Sequence, residues 1–397
     1  MQAYKFQLRQ KPAQEHIMRQ FAGCCRFVWN RALALEKELY ETEGKRSGYC
    51  ALAGKLKEWK QEEDTAFLAS AHSQILQQTL KDLERAYKNF FEKRADFPRF
   101  KKKGVHDAFR YPQGFKIEQE NSRVYLPKIG WIPYRNSRCI EGTPKQVTVS
   151  LSAGKWYVSI QTERDVDNVV HPSTSSVGID MGVANFATLS DGTVVTPLNS
   201  FRKHEKKLVK LQRRLSKQVR FSANWHKTKA RIARLHRKIA NVRNDFLHKT
   251  TTTISKNHAF VVLEDLNVRN MSRSASGTVE SPGRHVRAKA SLNKSILDQG
   301  WFEFRRQLSY KLAWSGGTLI VIPPQYTSQT CNRCGCIDKN SRPTQAIFKC
   351  TACGFETNAD YNAAMNILAA GQAVSACGAG RAQAPALKQE PTCGAAR

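Results

Sequence analysis

Val177-Gly178-Ile179-Asp180-Met181-Gly182 is an apolar run that ends on a carboxylate. A second run, Phe260-Val261-Val262-Leu263-Glu264-Asp265-Leu266, ends the same way. Runs of this length and composition predict buried strands, each delivering an acid at its C-terminal end. A third acid, Asp360, opens the helical stretch Ala359-Asp360-Tyr361-Asn362-Ala363-Ala364-Met365-Asn366. Two strand ends and a helix start can bring Asp180, Glu264 and Asp360 together above one sheet. Period-two alternation lets only one of Glu264 and Asp265 share that face. Hard carboxylate oxygens suit Mg²⁺. Two such ions about 3.5–4 Å apart can activate a water and stabilise the leaving oxygen of a phosphodiester. Singly, each acid also has an ordinary use: a strand-end turn residue for Asp180, a helix N-cap for Asp360. Asn362 suits either orienting a phosphate or metal-bound water, or a plain polar role at a helix start.

Charge supplies the context. The 397 residues carry 64 Lys and Arg against 33 Asp and Glu, a net charge of +31. A surplus of that size points first to nucleic acid as partner. Residues 201–250 concentrate it, with 17 Lys and Arg and two acids, Glu205 and Asp245. A solvated helix face normally mixes both signs, so this stretch points to a polyanion. No apolar run is long enough for a transmembrane helix, and Met1-Gln2-Ala3-Tyr4-Lys5-Phe6 lacks a signal-peptide pattern. A cytoplasmic, reducing setting is expected.

Eleven cysteines are too few for a disulfide scaffold in a chain of this length. Four of them form two pairs, Cys331-Asn332-Arg333-Cys334 and Cys350-Thr351-Ala352-Cys353, with 15 residues between the pairs. Two such knuckles can present four thiolates tetrahedrally to Zn²⁺. Gly335 and Gly354 follow each pair, where a tight turn is needed. Cys336 breaks the spacing and is not a ligand. With all four positions filled by protein, the zinc would be structural.

The rest of the chain divides by pattern. Tyr4, Phe6 and Leu8 alternate with Lys5, Gln7 and Arg9, as in a half-buried strand. Helical stripes follow, then strand signals at 124–160 separated by Gly, Pro and Asn. Between them, Phe97-Pro98-Arg99-Phe100-Lys101-Lys102-Lys103 suits a solvated linker or a nucleic-acid backbone contact. His171-Pro172-Ser173-Thr174-Ser175-Ser176 reads as a linker, and 183–193 as a hairpin. Met271 to Ala290, rich in Ser, Gly and Arg, is expected to be a mobile loop and a candidate lid. Beyond Gly371 the Ala/Gly/Gln-rich tail lacks periodicity and is expected to be disordered.

At the three acidic motifs the chain resembles the RuvC motifs of the TnpB family of insertion-sequence proteins, relatives of type V CRISPR effectors. Pro324-Gln325-Tyr326-Thr327-Ser328-Gln329-Thr330-Cys331 and the second CxxC resemble that family's zinc finger. Ala3-Tyr4-Lys5-Phe6, Cys24-Cys25-Arg26-Phe27-Val28-Trp29-Asn30 and Phe97-Pro98-Arg99-Phe100 resemble its N-terminal part. The resemblance implies an α/β multidomain fold. A β-barrel wedge domain (1–12 and 97–170) would carry a helical recognition bundle (13–96). An RNase H-like RuvC nuclease domain (171–325 and 356–370) would hold an inserted zinc ribbon (326–355), before a tail (371–397). It also implies cleavage of double-stranded DNA beside a short motif, guided by a noncoding RNA. Asp180, Glu264 and Asp360 would hold Mg²⁺, and Cys331, Cys334, Cys350 and Cys353 would hold Zn²⁺. Two other classes of function remain open: an RNA-guided repressor that does not cut, and a transposase acting on transposon ends. Oligomeric state is open, with a monomer favoured.

Overall fold

Alternation in the first residues becomes strand β1 (Gln2–Gln7), with Tyr4 and Phe6 buried and Lys5 exposed. The structure, a computed structural model, describes residues 1–165 and 169–376. It divides into two compact units, Met1–Asp165 and Val166–Arg397. In the first, Pro12 occupies the opening turn of α1 (Pro12–Glu43), where a missing N–H is harmless. α2 (Gly48–Gln61) and α3 (Ser73–Phe91) follow, and Leu76, Leu80, Leu83 and Tyr87 bury the stripe that their spacing predicts.

Six strands complete this unit: β2 (Ala108–Tyr111), β3 (Lys116–Glu118), β4 (Arg123–Leu126), β5 (Gly130–Pro133), β6 (Thr143–Ser152) and β7 (Lys155–Glu163). They pair as two antiparallel sheets, β1-β7-β6-β2 and β3-β4-β5, over a core shared with the helices. An isolated bridge from Leu8 to Tyr134 links the two. The expected barrel is therefore two sheets in hydrogen-bonding terms. β6 is paired on both sides, by β7 and by β2, so β3, β4 and β5 pair only with one another. The 97–103 run is not a free linker. Trp29 Nε1 donates to the Arg99 carbonyl at 3.0 Å, Asn30 bonds Lys101 in both directions, and the Lys101 ammonium lies 3.8 Å from the Trp29 ring centre.

In the second unit, β8 (Ser176–Asp180), β9 (Ala187–Leu189) and β10 (Val194–Val195) form an antiparallel meander. β11 (Phe260–Glu264) joins the free edge of β8 in parallel, and β12 (Thr318–Ile322) joins β11. The order is β10-β9-β8-β11-β12. Helices α4 (Ser200–Ser216) and α5 (Ala223–Asn257) precede β11. α6 (Val268–Met271), α7 (Val286–Gln299) and α8 (Trp301–Ser315) lie between β11 and β12. The short hairpin β13 (Ile347–Lys349) and β14 (Glu356–Asn358) leads directly into α9 (Ala359–Ala376). The pleat sorts the sheet's two faces. Val261 and Leu263 pack with Phe304 and Leu308 of α8, while Val262 packs with Ile367 of α9.

Three expectations change. The 171–176 stretch is anchored, with the buried His171 ring 2.8 Å from the Ser255 carbonyl. The 271–290 loop is helical from Val286, because Lys289 and Asn293 reach back to the carbonyls of Met271, Ser272 and Arg273. The expected tail starts later: residues 371–376 continue α9, with Gly371 buried against Val262. The rest of that tail, 377–397, lies outside the described residues.

α9 crosses β8 where Gly178 offers no side chain. A Cβ there would stand 2.2 Å from the Ala364 carbonyl and 2.6 Å from the Leu368 amide. Gly178→Ala must therefore push α9 off the sheet. The expected cost is about 1–3 kcal/mol, read as a fall in the thermal unfolding midpoint; an unchanged midpoint would refute the close approach.

Candidate active site and zinc ribbon

The sheet and α9 gather the three acids by simple counting. Val262 pairs with Gly178 and Leu263 with Ile179, so the next step sets Glu264 beside Asp180. Alternation turns both toward the α9 face, where Gly178 and Val262 already lie. Asp360 stands one helical turn, about 5.4 Å, before Ala364. Asp180 stands two strand residues, about 6.6 Å, beyond Gly178. Asp265 points elsewhere, pairing with Arg305 of α8 at 2.5 Å. The choice between Glu264 and Asp265 thus falls to Glu264.

Electrostatics registers the gathering. Burial, then the charges of Glu264 and Asp360, raise Asp180 from 3.8 to about 7. Burial also raises Glu264, although the Thr327 hydroxyl donates to its Oε1 at 2.5 Å. Asn185 Nδ2 donates to Asp360 Oδ2 at 3.3 Å, and Arg342 Nη2 lies 3.6 Å from Asp360 Oδ1. Arg342 also lowers Asp180. Carboxylates crowded enough to hold a proton near neutrality fit a site that a divalent cation completes. The three are not all within 4.8 Å of one another; among the described residues only the four cysteines meet that measure.

Cys331, Cys334, Cys350 and Cys353 have all four sulfurs within 4.8 Å. Cys331 and Cys353 Sγ are 3.8 Å apart, and Cys334 and Cys350 Sγ 3.6 Å. Zn–S bonds of about 2.3 Å give a tetrahedral edge of about 3.8 Å, so the donor set fits Zn²⁺ as it stands. The four thiols share protons: backbone N–H groups of Cys353 and Ala352 pull Cys350 down to about 6, while Cys353, Cys350 and Cys331 push their neighbour Cys334 up to about 12.

Sequence reasoning missed how the ribbon is fastened to the acids. Asn362 is fully buried; its Oδ1 accepts from the Asn332 amide at 3.1 Å and its Nδ2 donates to the Thr330 carbonyl at 2.8 Å. With both ends engaged by backbone, it orients no phosphate. Asn366, one turn on, donates to the carbonyls of Thr327 and Thr330. α9 thus grips residues 327–332, and Thr327 in turn grips Glu264. The four-residue spacing of Asn362 and Asn366 on one helix face was the available signal. Nothing in the sequence marked Arg342 or Asn185, and Thr327 stood only within the segment that resembles the family's zinc finger, with no role of its own.

The second charged feature is the α4–α5 hairpin. Leu208, Leu235 and Ile239 form its seam, with Leu211 and Ile232 beside them. Glu205 and Asp245 are committed to Lys294 and Lys249, so the stretch keeps a large positive excess. No helix among the described residues is long and apolar enough to cross a membrane.

Fold and site together define a mixed α/β protein of the kind seen in compact RuvC-containing effectors. Family profiles described as "Probable transposase", "Cas12f1-like, TNB domain" and "Helix-turn-helix domain" match residues 159–275, 301–367 and 1–45. The last match spans β1 and α1, a strand and one continuous helix. A "Putative RNA-guided DNA endonuclease InsQ" of Escherichia coli K12 is 60% identical, covering 99% of this chain and 98% of the relative. A "Putative RNA-guided DNA endonuclease" of Streptomyces pristinaespiralis is 35% identical, covering 98% and 96%. The solved Cas12f1–sgRNA–target DNA complex superposes with a TM-score of 0.56 at 17% identity, over 90% of this chain and 83% of that one; this speaks for the fold. The chain belongs to the TnpB family of RNA-guided DNA endonucleases.

Two outcomes follow. Stripping zinc with a chelator, or Cys350→Ser, should release one zinc per chain and expose the amides of 327–332 to hydrogen exchange; unchanged protection would separate the ribbon from the acids. The second concerns pH. A carboxyl raised in the fold binds its proton more tightly there than in the unfolded chain, so Asp180 lowers stability as pH rises from about 4 to 7. A cation competes with that proton. Mg²⁺ should raise the thermal midpoint more at pH 8 than at pH 6, and an equal rise at both would remove Asp180 from the metal site.

Proposed function

We propose that this protein uses a noncoding guide RNA to select double-stranded DNA and cuts it at Asp180, Glu264 and Asp360. The observation that carries this is that the buried Asp180 feels the charges of both Glu264 and Asp360, in a unit that also holds the basic hairpin of α4 and α5. Mg²⁺ held by these acids would supply Lewis acidity and an activated water. The chain's own residues do the positioning. Thr327 holds Glu264 in one rotamer, and Asn185 holds Asp360. Arg342 brings a guanidinium to the rim of the acidic cluster, where it can neutralise a phosphate oxygen as substrate enters. Zn²⁺ on Cys331, Cys334, Cys350 and Cys353 keeps Arg342 and Thr327 in register.

The unit Met1–Asp165 would act as wedge and recognition domains, gripping backbone and reading the short motif beside the target. The loop before α7 would cover the cleft. The work would take place in the cytoplasm, on the chromosome. Base pairing would choose the target, so the protein needs charge more than base-reading side chains, in keeping with +31.

Neither a repressor nor a transposase is favoured: a repressor has no use for three gathered acids, and close relatives carry endonuclease names. In Asp180→Ala, cleavage of a guide-matched plasmid should fall at least about a thousandfold while RNA binding is kept. Cutting that persists would place the active site elsewhere, and cutting that survives RNase treatment would favour the transposase.

A further inference from the structure

The turn between α4 and α5 presents aromatic rings to solvent. Phe221 is 65% exposed and Val219 80%. Phe221 also has φ of 69°, a left-handed conformation that bulky side chains rarely adopt. Its ring lies 5.5 Å from Trp225, which stands edge-on to His226 at 5.1 Å. Arg220 sits over Phe221 at 5.0 Å and Lys229 over Trp225 at 4.7 Å. The Ser222 hydroxyl accepts from the Trp225 amide at 3.2 Å and caps α5, so the cluster is set by the backbone.

The base of the hairpin is fastened. Buried Asp298 accepts from the Ser200 hydroxyl and the Phe201 amide at the start of α4. The tip is then about 25 Å away, the length of a 17-residue helix. Aromatic faces flanked by cations at the end of a basic hairpin match the parts of a single-stranded nucleic-acid platform: rings for bases, charges for phosphates.

Building on the guide-RNA function above, we infer that the Phe221–Trp225–His226 tip stacks unpaired bases of the guide RNA's scaffold. Folded RNA offers splayed bases in loops and bulges before any target is bound, whereas unpaired DNA appears only after the guide has opened the target. The contact adds affinity and fixes where the scaffold sits along the hairpin.

The test is RNA binding by filter retention over a salt series, with the full chain and its own co-purifying RNA. Phe221→Ala with Trp225→Ala should weaken binding at least about tenfold. The salt slope should not change, because stacking releases no counterions. Arg220→Ala with Lys229→Ala should instead flatten the slope. Phe221→Tyr with Trp225→Phe should restore binding. Ultraviolet cross-linking of the unaltered protein should map to residues 219–226, a readout that does not depend on any variant folding. If wild type binds RNA and cuts but the double alanine variant binds within twofold, the tip assignment fails and the guided nuclease stands. Weaker DNA binding with unchanged RNA binding also overturns it. A wild-type protein that binds no RNA overturns both.

Discussion

Gly178 has no side chain, and α9 lies where one would be. Ala364 and Leu368 bring helix backbone to within 2.2–2.6 Å of the missing Cβ. That contact fixes the height of α9 over the sheet, and with it the height of Asp360 over Asp180. A Leu or Val at 178 would suit the strand's burial equally well, yet it would separate the acids. The proposed active site therefore depends on an absence of atoms two residues from its first carboxylate.

The zinc ribbon enters the same argument from the other side. It contributes no open coordination position, since its four sulfurs close a tetrahedron. What it supplies is a stiff frame for residues 327–342. Asn362 and Asn366 fasten that frame to α9, Thr327 reaches from it to Glu264, and Arg342 reaches from it to Asp360. On the proposed function, zinc binding and cleavage would be coupled through hydrogen bonds a few residues long. Acidic crowding works against the fold, and a bound cation would relieve it.

Charge is distributed by task. Asp180, Glu264 and Asp360 concentrate negative charge at the ends of β8 and β11 and the start of α9, where burial raises Asp180 to about 7. Positive charge is spread along α4 and α5, whose two acids already have partners. An aromatic cluster caps the far end of that hairpin, at a backbone conformation costly for phenylalanine. One unit thus contains both the acidic cluster and the basic hairpin.

The local elements were legible in the sequence because their signals are local. Apolar runs marked β8 and β11, three/four spacing marked α3 and α5, and the matched CxxC pairs marked the knuckles. The four cysteines could be grouped for the same reason, and the three acids proposed, helped by a family resemblance at those motifs. What the sequence could not express was distance between segments. The barrel expectation resolved into two sheets because β7 and β2 occupy both sides of β6, a pairing choice that composition does not express. The linker at 171–176, the loop at 286–290 and the chain at 371–376 are ordered by contacts with distant residues. Asn362 passed from a possible phosphate ligand to a structural clasp, and Arg342, Asn185 and Thr327 emerged only in three dimensions. Strand and helix periodicities are written in neighbouring residues, whereas the positions of side chains around a site follow from how helix and ribbon pack on the sheet.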